Sequence, residues 1–139
     1  MLIKRKLKVG RKRQTFTAYQ EWHEVGGRRI FCRSRWEYKF ACHLEALKMR
    51  REIYDWLHEP ETFWFLDIKR GVRSYLPDFK VIRPDGTHYW VEVKGYLDAK
   101  SKTKLKRFAK YYPNEQLMLV TESWFKKNGG LNGKESKNI

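Results

Sequence analysis

The chain has 139 residues and a net charge of +15, with 31 lysines and arginines against 16 acidic residues. This length suits one domain with a substantial core. Basic excess on this scale indicates a polyanionic partner, and nucleic acid is favoured over a membrane because the sequence has no long apolar span and no basic amphipathic anchor. No apolar signal-peptide core follows the basic start, so a cytoplasmic protein is expected.

The cysteine content agrees with a reducing compartment. Cys32 and Cys42 are the only cysteines, and nothing else suggests a secreted disulfide scaffold. We therefore expect both thiols to be buried or free. Zinc binding by these two residues together with His43 and His58 is the alternative, but their spacing matches no common zinc-ligand pair.

The first third of the chain predicts a basic arm, a strand and a helix. Residues 1–14 form the arm, either a solvated tail or a segment that lies along a phosphate backbone. Residues 28–32 predict a short strand. Residues 34–51 predict a helix that begins at Ser34. Its apolar residues recur at helical spacing: Trp36, Phe40, Leu44 and Leu47.

The remainder predicts strands, then a helix and a last strand. Strands are expected over residues 53–58, 62–68, 73–81 and 89–93. A second helix is expected over residues 101–112, with these residues facing inward: Leu105, Phe108, Ala109 and Tyr112.

The C-terminal part completes the predicted sheet. Residues 116–120 predict a strand that joins the sheet in parallel through the helical crossover. Thr121 is expected to cap a short helix that ends at Gly129, and residues 129–139 are expected to form a flexible tail. We therefore predict a single α/β domain over residues 15–128, with a central mixed sheet flanked by helices.

Two acids and a lysine stand out on neighbouring predicted strands. Asp78 follows Pro77, and Glu92 and Lys94 are two positions apart. Because side chains alternate along a strand, Glu92 and Lys94 point to one face. Two carboxylates beside an amine make a partial metal site of the kind that phosphodiester hydrolysis needs.

The turn between these strands decides whether Asp78 joins that face. A two-residue turn at Asp85-Gly86 would place Asp78 opposite Val93, on the wrong face. A three-residue loop over residues 84–86 places Asp78 opposite Glu92. Proline opens a type I turn and glycine closes it in the left-handed conformation, so we predict the longer loop. The two Cβ atoms would then lie about 5 Å apart, and a divalent cation would relieve the repulsion between the carboxylates.

Glu37 has two interpretations. Ser34 and Glu37 have the spacing of a capping box, in which the serine binds the Glu37 amide and the glutamate binds the Ser34 amide. That role needs no chemistry and is favoured by periodicity alone. Glu37 also borders the apolar stripe of the helix, from which it would approach the acids if this face packs on the sheet.

The motifs that contain these residues resemble those of the PD-(D/E)XK nuclease superfamily. The resemblance covers roughly residues 30–120 and uses residues 33–37, Pro77-Asp78 and residues 92–94. It is similar to phage junction-resolving endonucleases, to restriction-like transposase nuclease subunits and to phage head-completion nucleases. It implies a restriction-endonuclease-like α/β core with a β-hairpin that carries the active site.

The resemblance also implies an active site and a cofactor. Its catalytic residues would be Glu37, Asp78, Glu92 and Lys94. Asp78, Glu92, the carbonyl of Val93 and Glu37 would hold Mg²⁺, for which Mn²⁺ would substitute. The metal would neutralise the scissile phosphate and activate a water, and Lys94 would orient that water or stabilise the transition state.

A basic surface beside this site predicts DNA binding. The expected contacts to the phosphate backbone are Arg33, Arg35, Arg73, Lys100, Lys102, Lys104, Lys106 and Arg107. The sequence has no recognition helix or zinc finger, so the shape of DNA is expected to matter more than its bases.

The expected function is a Mg²⁺-dependent DNA endonuclease of phage type that acts on branched DNA such as a Holliday junction. Resolving a junction needs two cuts, so a homodimer is expected. The alternatives are a nicking, head-completion or transposition nuclease, and a non-catalytic basic DNA-binding protein with a nuclease fold.

Overall fold

The computed structural model describes residues 19–128, so the expected basic arm and C-terminal tail lie outside the described residues. In this part of the chain there are three helices, α1 Arg35–Met49, α2 Ala99–Tyr111 and α3 Glu122–Lys127. The strands are β1 Glu21–Val25, β2 Arg28–Cys32, β3 Asp55–His58, β4 Phe63–Trp64, β5 Ser74–Tyr75, β6 Phe79–Ile82, β7 His88–Val93 and β8 Leu117–Val120.

A mixed four-stranded sheet forms the centre of the fold. Its strand order is β3-β6-β7-β8, with β3, β6 and β7 antiparallel and β8 parallel to β7. Helix α2 connects β7 to β8, which confirms the predicted parallel crossover. Two smaller antiparallel pairs, β1-β2 and β4-β5, complete the α/β architecture.

The two faces of this sheet pack in separate cores. On one face, Phe79 and Val91 pack with Phe40 of α1 and Phe125 of α3. On the other face, Trp90 packs with Phe108 of α2 and with aromatic residues of β4 and β5. This separation follows from the alternation of side chains along β6 and β7.

The β6-β7 hairpin has the predicted three-residue loop. Ile82 lies opposite His88, and the Arg83 amide donates to the Thr87 carbonyl at 2.7 Å. Gly86 has φ +92°, in the left-handed region that the loop requires. Because Phe79 pairs with Val91, the same register continues to Asp78 opposite Glu92.

Three details of the prediction were wrong. Strand β1 was not predicted, although it pairs with β2 along its full length. The strand expected over residues 62–68 is reduced to β4, because the chain turns after Phe65 and the Ile68 amide donates to the Phe65 carbonyl. Ala109 is exposed on α2, whereas the expected neighbour Phe108 is buried.

A fourth detail concerns the strand expected over residues 73–81. It is divided into β5 and β6 by residues 76–78. Pro77 lies in this break, and proline has no amide proton to donate to a strand ladder. The break leaves Asp78 immediately before β6, where its backbone still meets the end of β3 through the Glu59 amide at 2.9 Å.

Candidate active site

Asp78 is held between two neighbouring strands. Its Oδ2 accepts a hydrogen bond from the Val93 amide at 2.8 Å, so the carboxylate lies across the end of the β6-β7 pair. The backbone of Asp78 accepts from Glu59 on the other side. The ends of β3, β6 and β7 therefore come together at this carboxylate.

Glu92 of β7 and Lys94, which directly follows this strand, lie on the same side of the chain, as predicted. Both line a small cavity of about 20 Å³ whose other walls include Tyr75, Ser101 and Lys104. Glu92 is buried within the strand, and its Oε1 accepts from the Tyr75 hydroxyl at 2.6 Å. The cavity therefore brings a buried acid together with two amines, one from the residue after β7 and one from α2.

Glu37 takes part in the helix cap and also contacts His58. Ser34 Oγ accepts from the Glu37 amide at 3.1 Å, which confirms the predicted cap. The return contact is different, because Glu37 Oε1 accepts from the Arg33 amide at 2.9 Å and not from the Ser34 amide. Its other oxygen, Oε2, lies 2.5 Å from His58 Nε2. Both carboxylate oxygens of Glu37 therefore have partners outside the pair of Asp78 and Glu92, and a role for Glu37 in binding a metal with these acids stays a prediction.

The electrostatics of Asp78 connect the three acids. Burial raises the pKa of Asp78 well above its usual range, and the negative charges of Glu92 and Glu37 raise this pKa further. The hydrogen bond from the Val93 amide acts in the opposite direction. Acids from three separate elements thus act on one another inside the protein.

Opposing effects also act on the pKa of Glu92, which is raised less than that of Asp78. Burial raises the pKa of Glu92, while the Tyr75 hydroxyl and the charges of Lys94 and Lys104 partly oppose this rise. Burial, together with the contact with Glu92, raises the pKa of Tyr75, which therefore keeps its proton for donation.

Asp78 and Glu92 offer carboxylate oxygens, the type of ligand that a hard divalent cation prefers. Among residues 19–128, no basic side chain forms an ion pair within 4.0 Å of Asp78 or Glu92. Burial is the main cause of the raised pKa of Asp78, and a cation between these carboxylates would remove the repulsion that adds to it. The Val93 carbonyl stays a prediction as a further ligand.

The tightest group of possible metal donors is a different one. Glu37, His58 and Glu59 each offer a ligand atom within 4.8 Å of the other two, in the part of the chain that the structure describes. Asp78 and Glu92 do not belong to this group. Glu59 Oε2 also pairs with the Arg33 guanidinium at 2.8 Å. The group is therefore held by contacts within the protein, and Glu37 connects it to the acids.

The predicted DNA-binding residues fall into two sets. Arg73, Lys100 and Lys104 line a groove beside the site, and Lys102 and Lys106 are exposed on α2. The residues of the second set have partners within the fold. Arg33 forms an ion pair with Glu59, Arg35 lies over the Tyr19 ring, and Arg107 donates to the Val72 carbonyl.

Sequence reasoning missed three residues that contact the acids. His58 was considered only as a zinc ligand, and Glu59 and Tyr75 were not considered. Tyr75 lies three residues before Asp78, so an aromatic hydroxyl close to a Pro-Asp pair is a signal that was present. The contact of His58 with Glu37 joins residues 21 positions apart and left no local signal.

Comparison with known proteins assigns no family. No family model matches the chain, and no curated protein sequence matches it. Among the described residues, no helix is long and apolar enough to cross a membrane.

Proposed function

We propose that the protein is a Mg²⁺-dependent DNA endonuclease with a restriction-endonuclease-like core, a member of the PD-(D/E)XK superfamily that acts on DNA in the cytoplasm. The observation that carries this proposal is the hairpin register that sets the half-buried carboxylate of Asp78 opposite Glu92, where burial and then the charges of Glu92 and Glu37 raise the pKa of Asp78. A divalent cation would reduce the repulsion between acidic side chains that are held this close together. The order and types of the motif residues support the same assignment.

The residues of the proposed site would have different roles. Asp78 and Glu92 would hold the cation, and Glu37 would hold a second cation or orient a water. When bound, Mg²⁺ supplies charge neutralisation at the phosphate and a more acidic water as the nucleophile. Lys94 lines the same cavity as Glu92, and its ammonium would stabilise negative charge that develops on the phosphate.

The surroundings favour a nucleic acid substrate. Lys100, Lys102, Lys104 and Lys106 follow the active-site strand on α2, and the whole chain carries a net charge of +15. Contacts from such residues to phosphates do not depend on sequence. A branched substrate and a homodimer that makes two cuts remain part of this proposal, on the strength of the resemblance.

Cleavage assays with defined DNA forms test the proposal. Supercoiled, nicked, linear and four-way-junction DNA would each be incubated with the protein in Mg²⁺ or in EDTA. We expect cleavage in Mg²⁺ alone, and we expect Glu92→Gln to reduce the rate by at least about 100-fold while DNA binding is kept. Glu115→Gln is the matched control, because Glu115 binds Trp90 and His88 at the opposite end of β7.

The assay also separates the rival function. DNA binding without cleavage of any of the four forms in Mg²⁺ would contradict the enzyme and support a non-catalytic DNA-binding protein. A junction cut in two strands by a dimer would support the resolving role. Cleavage by a monomer of one strand only would support a nicking role instead.

A further inference from the structure

The exposed side chain of Trp64 lines a basic groove next to the proposed active site. The groove has a volume of about 310 Å³, and its walls come from β4, the loop before β5 and helix α2. Three of its lining side chains are cationic, Arg73, Lys100 and Lys104, and none is acidic. Lys104 also lines the cavity that holds Glu92 and Lys94, so the two spaces adjoin.

Trp64 is held in place but its ring has no partner among the described residues. Its backbone pairs with Ser74, and its carbonyl accepts from the Tyr112 hydroxyl at 2.7 Å. The side chain is 56% exposed and takes part in no ring contact or cation–π contact with residues 19–128. The backbone that carries this flat apolar side chain is therefore fixed, and the indole is left open to solvent.

The opposite wall of the groove is also fixed. Arg107 of α2 donates to the Val72 carbonyl, and the Phe65 amide donates to the Arg73 carbonyl at 2.9 Å. These contacts tie the loop before β5 both to the helix and to β4. The groove is therefore formed before any ligand binds, which reduces the entropy lost on binding.

We propose that this groove binds an unpaired nucleotide of the DNA strand next to the scissile phosphate, with its base stacked on Trp64 and its phosphates near Arg73, Lys100 and Lys104. The bases of a duplex already stack on both sides, so an open indole face is useful only to a base that has left the stack. The cations match the charge of the strand that carries this base. The inference rests on the proposed function and specifies its substrate as DNA with a single-stranded segment.

The test is binding of the full chain in EDTA, where no cleavage can occur. Three probes share one sequence: a blunt duplex, a duplex with a single-stranded flap, and the single strand, each labelled for fluorescence anisotropy. We expect Trp64→Ala to weaken binding of the flap and the single strand by about tenfold or more, while duplex binding changes less than about twofold. Trp64→Phe keeps an aromatic face and should retain most of the affinity.

Trp22 provides a matched control. It is 57% exposed, almost the same as Trp64, but its ring packs on Phe31 and lies under the Arg29 guanidinium in the β1-β2 pair. Trp22→Ala should leave the affinity for all three probes unchanged. Equal losses for Trp64→Ala and Trp22→Ala, or equal losses on flap and duplex, would overturn the inference.

A direct readout identifies the stacked base. An oligonucleotide with 2-aminopurine in the flap should lose fluorescence on binding to the wild type and to Glu92→Gln, and much less on binding to Trp64→Ala. The cleavage assays are independent of this signal. If Glu92→Gln cuts normally, the proposed function fails while the stacking result stands, and if the signal is the same with Trp64→Ala, only the inference fails.

Discussion

At the scale of single residues, the raised pKa of the half-buried Asp78 makes stability depend on pH. The pKa of Asp78 is higher in the folded protein than its value of about 3.9 in an unfolded chain. The folded state therefore holds the proton more tightly, and this contribution to stability is complete below the unfolded pKa. It is lost as the pH rises through the folded pKa, because a buried carboxylate then ionises beside Glu92 and Glu37.

Asp78→Asn should accordingly raise the melting temperature in EDTA at pH 8. The amide oxygen can still accept from the Val93 amide, but it brings no charge. We expect a gain of a few degrees, since about 1 kcal/mol corresponds to roughly 4 °C for a domain of this size. The gain should disappear as the pH falls toward about 4. Thermal unfolding followed by circular dichroism at both pH values would measure it.

Asp85→Asn is the control for this prediction. Asp85 lies in the exposed hairpin loop, where hydrogen bonds from Thr87 lower the pKa of its carboxyl. Removing this charge should therefore not raise the melting temperature. If Asp78→Asn melts at or below the wild-type temperature at pH 8, the repulsion among the acids is not a cost, and the reason for a cation between them is lost.

The two cysteines should differ sharply in reactivity. Burial, with a smaller effect from the Glu37 charge, raises the pKa of Cys32 to about 12, whereas Cys42 is exposed. Because the thiolate is the reactive form, a disulfide reagent at pH 8 should modify one thiol in the folded protein and both in guanidinium. Cys42→Ser should abolish the reaction of the folded protein. Similar rates for both thiols would contradict the buried position of Cys32.

At the scale of elements, the β6-β7 hairpin decides whether Asp78 meets Glu92. Gly86 has φ +92°, a backbone conformation that residues other than glycine rarely adopt. Gly86→Ala should therefore lower the free energy of unfolding by about 1–2 kcal/mol, as measured by urea denaturation. No atom lies within 4 Å of the added methyl group, so the loss would come from the backbone alone.

Gly95→Ala separates strain from crowding. Its added methyl group also meets no atom within 4 Å, but Gly95 does not have a positive φ. This substitution should change the free energy of unfolding by less than about 1 kcal/mol. Equal effects at both glycines would show that the hairpin loop does not depend on the left-handed residue.

The same hairpin shows what the sequence could predict. Side-chain alternation placed Glu92 and Lys94 on one face, and turn chemistry placed Asp78 opposite Glu92. Both rules act over a few residues. Helix α1 was predictable for the same reason, because Ser34 and the apolar stripe lie within one continuous segment.

Features that depend on distant parts of the chain could not be predicted. Strand β1 is mostly exposed and polar, so it has little periodicity and is defined by its pairing with β2. His58 and Glu59 meet Glu37 only after α1 has packed on the sheet. The division of the predicted strand at Pro77 was also missed. Proline has no amide proton, so its position could have indicated a break in the strand.

At the scale of the whole molecule, the net charge of +15 predicts affinity for DNA that falls steeply with salt. The logarithm of the binding constant should decrease linearly with the logarithm of salt concentration, with a slope of about −0.9 for each phosphate neutralised. Lys102→Ala and Lys106→Ala each remove an exposed cation from α2 that has no ion pair with residues 19–128. Each should reduce the magnitude of the slope by about 0.9 if that lysine contacts a phosphate.

Lys126→Ala tests whether the position of the charge matters. Lys126 is exposed on α3, which packs on the sheet face opposite to α2, and it pairs with Glu122 at 3.4 Å. Removing it changes the net charge by the same amount as either α2 substitution, so it should leave the slope nearly unchanged. Equal changes for all three lysines would mean that only total charge matters. Because Lys104 of α2 lines the same cavity as Glu92 and Lys94, such a result would also argue against the proposal that α2 receives the strand to be cut.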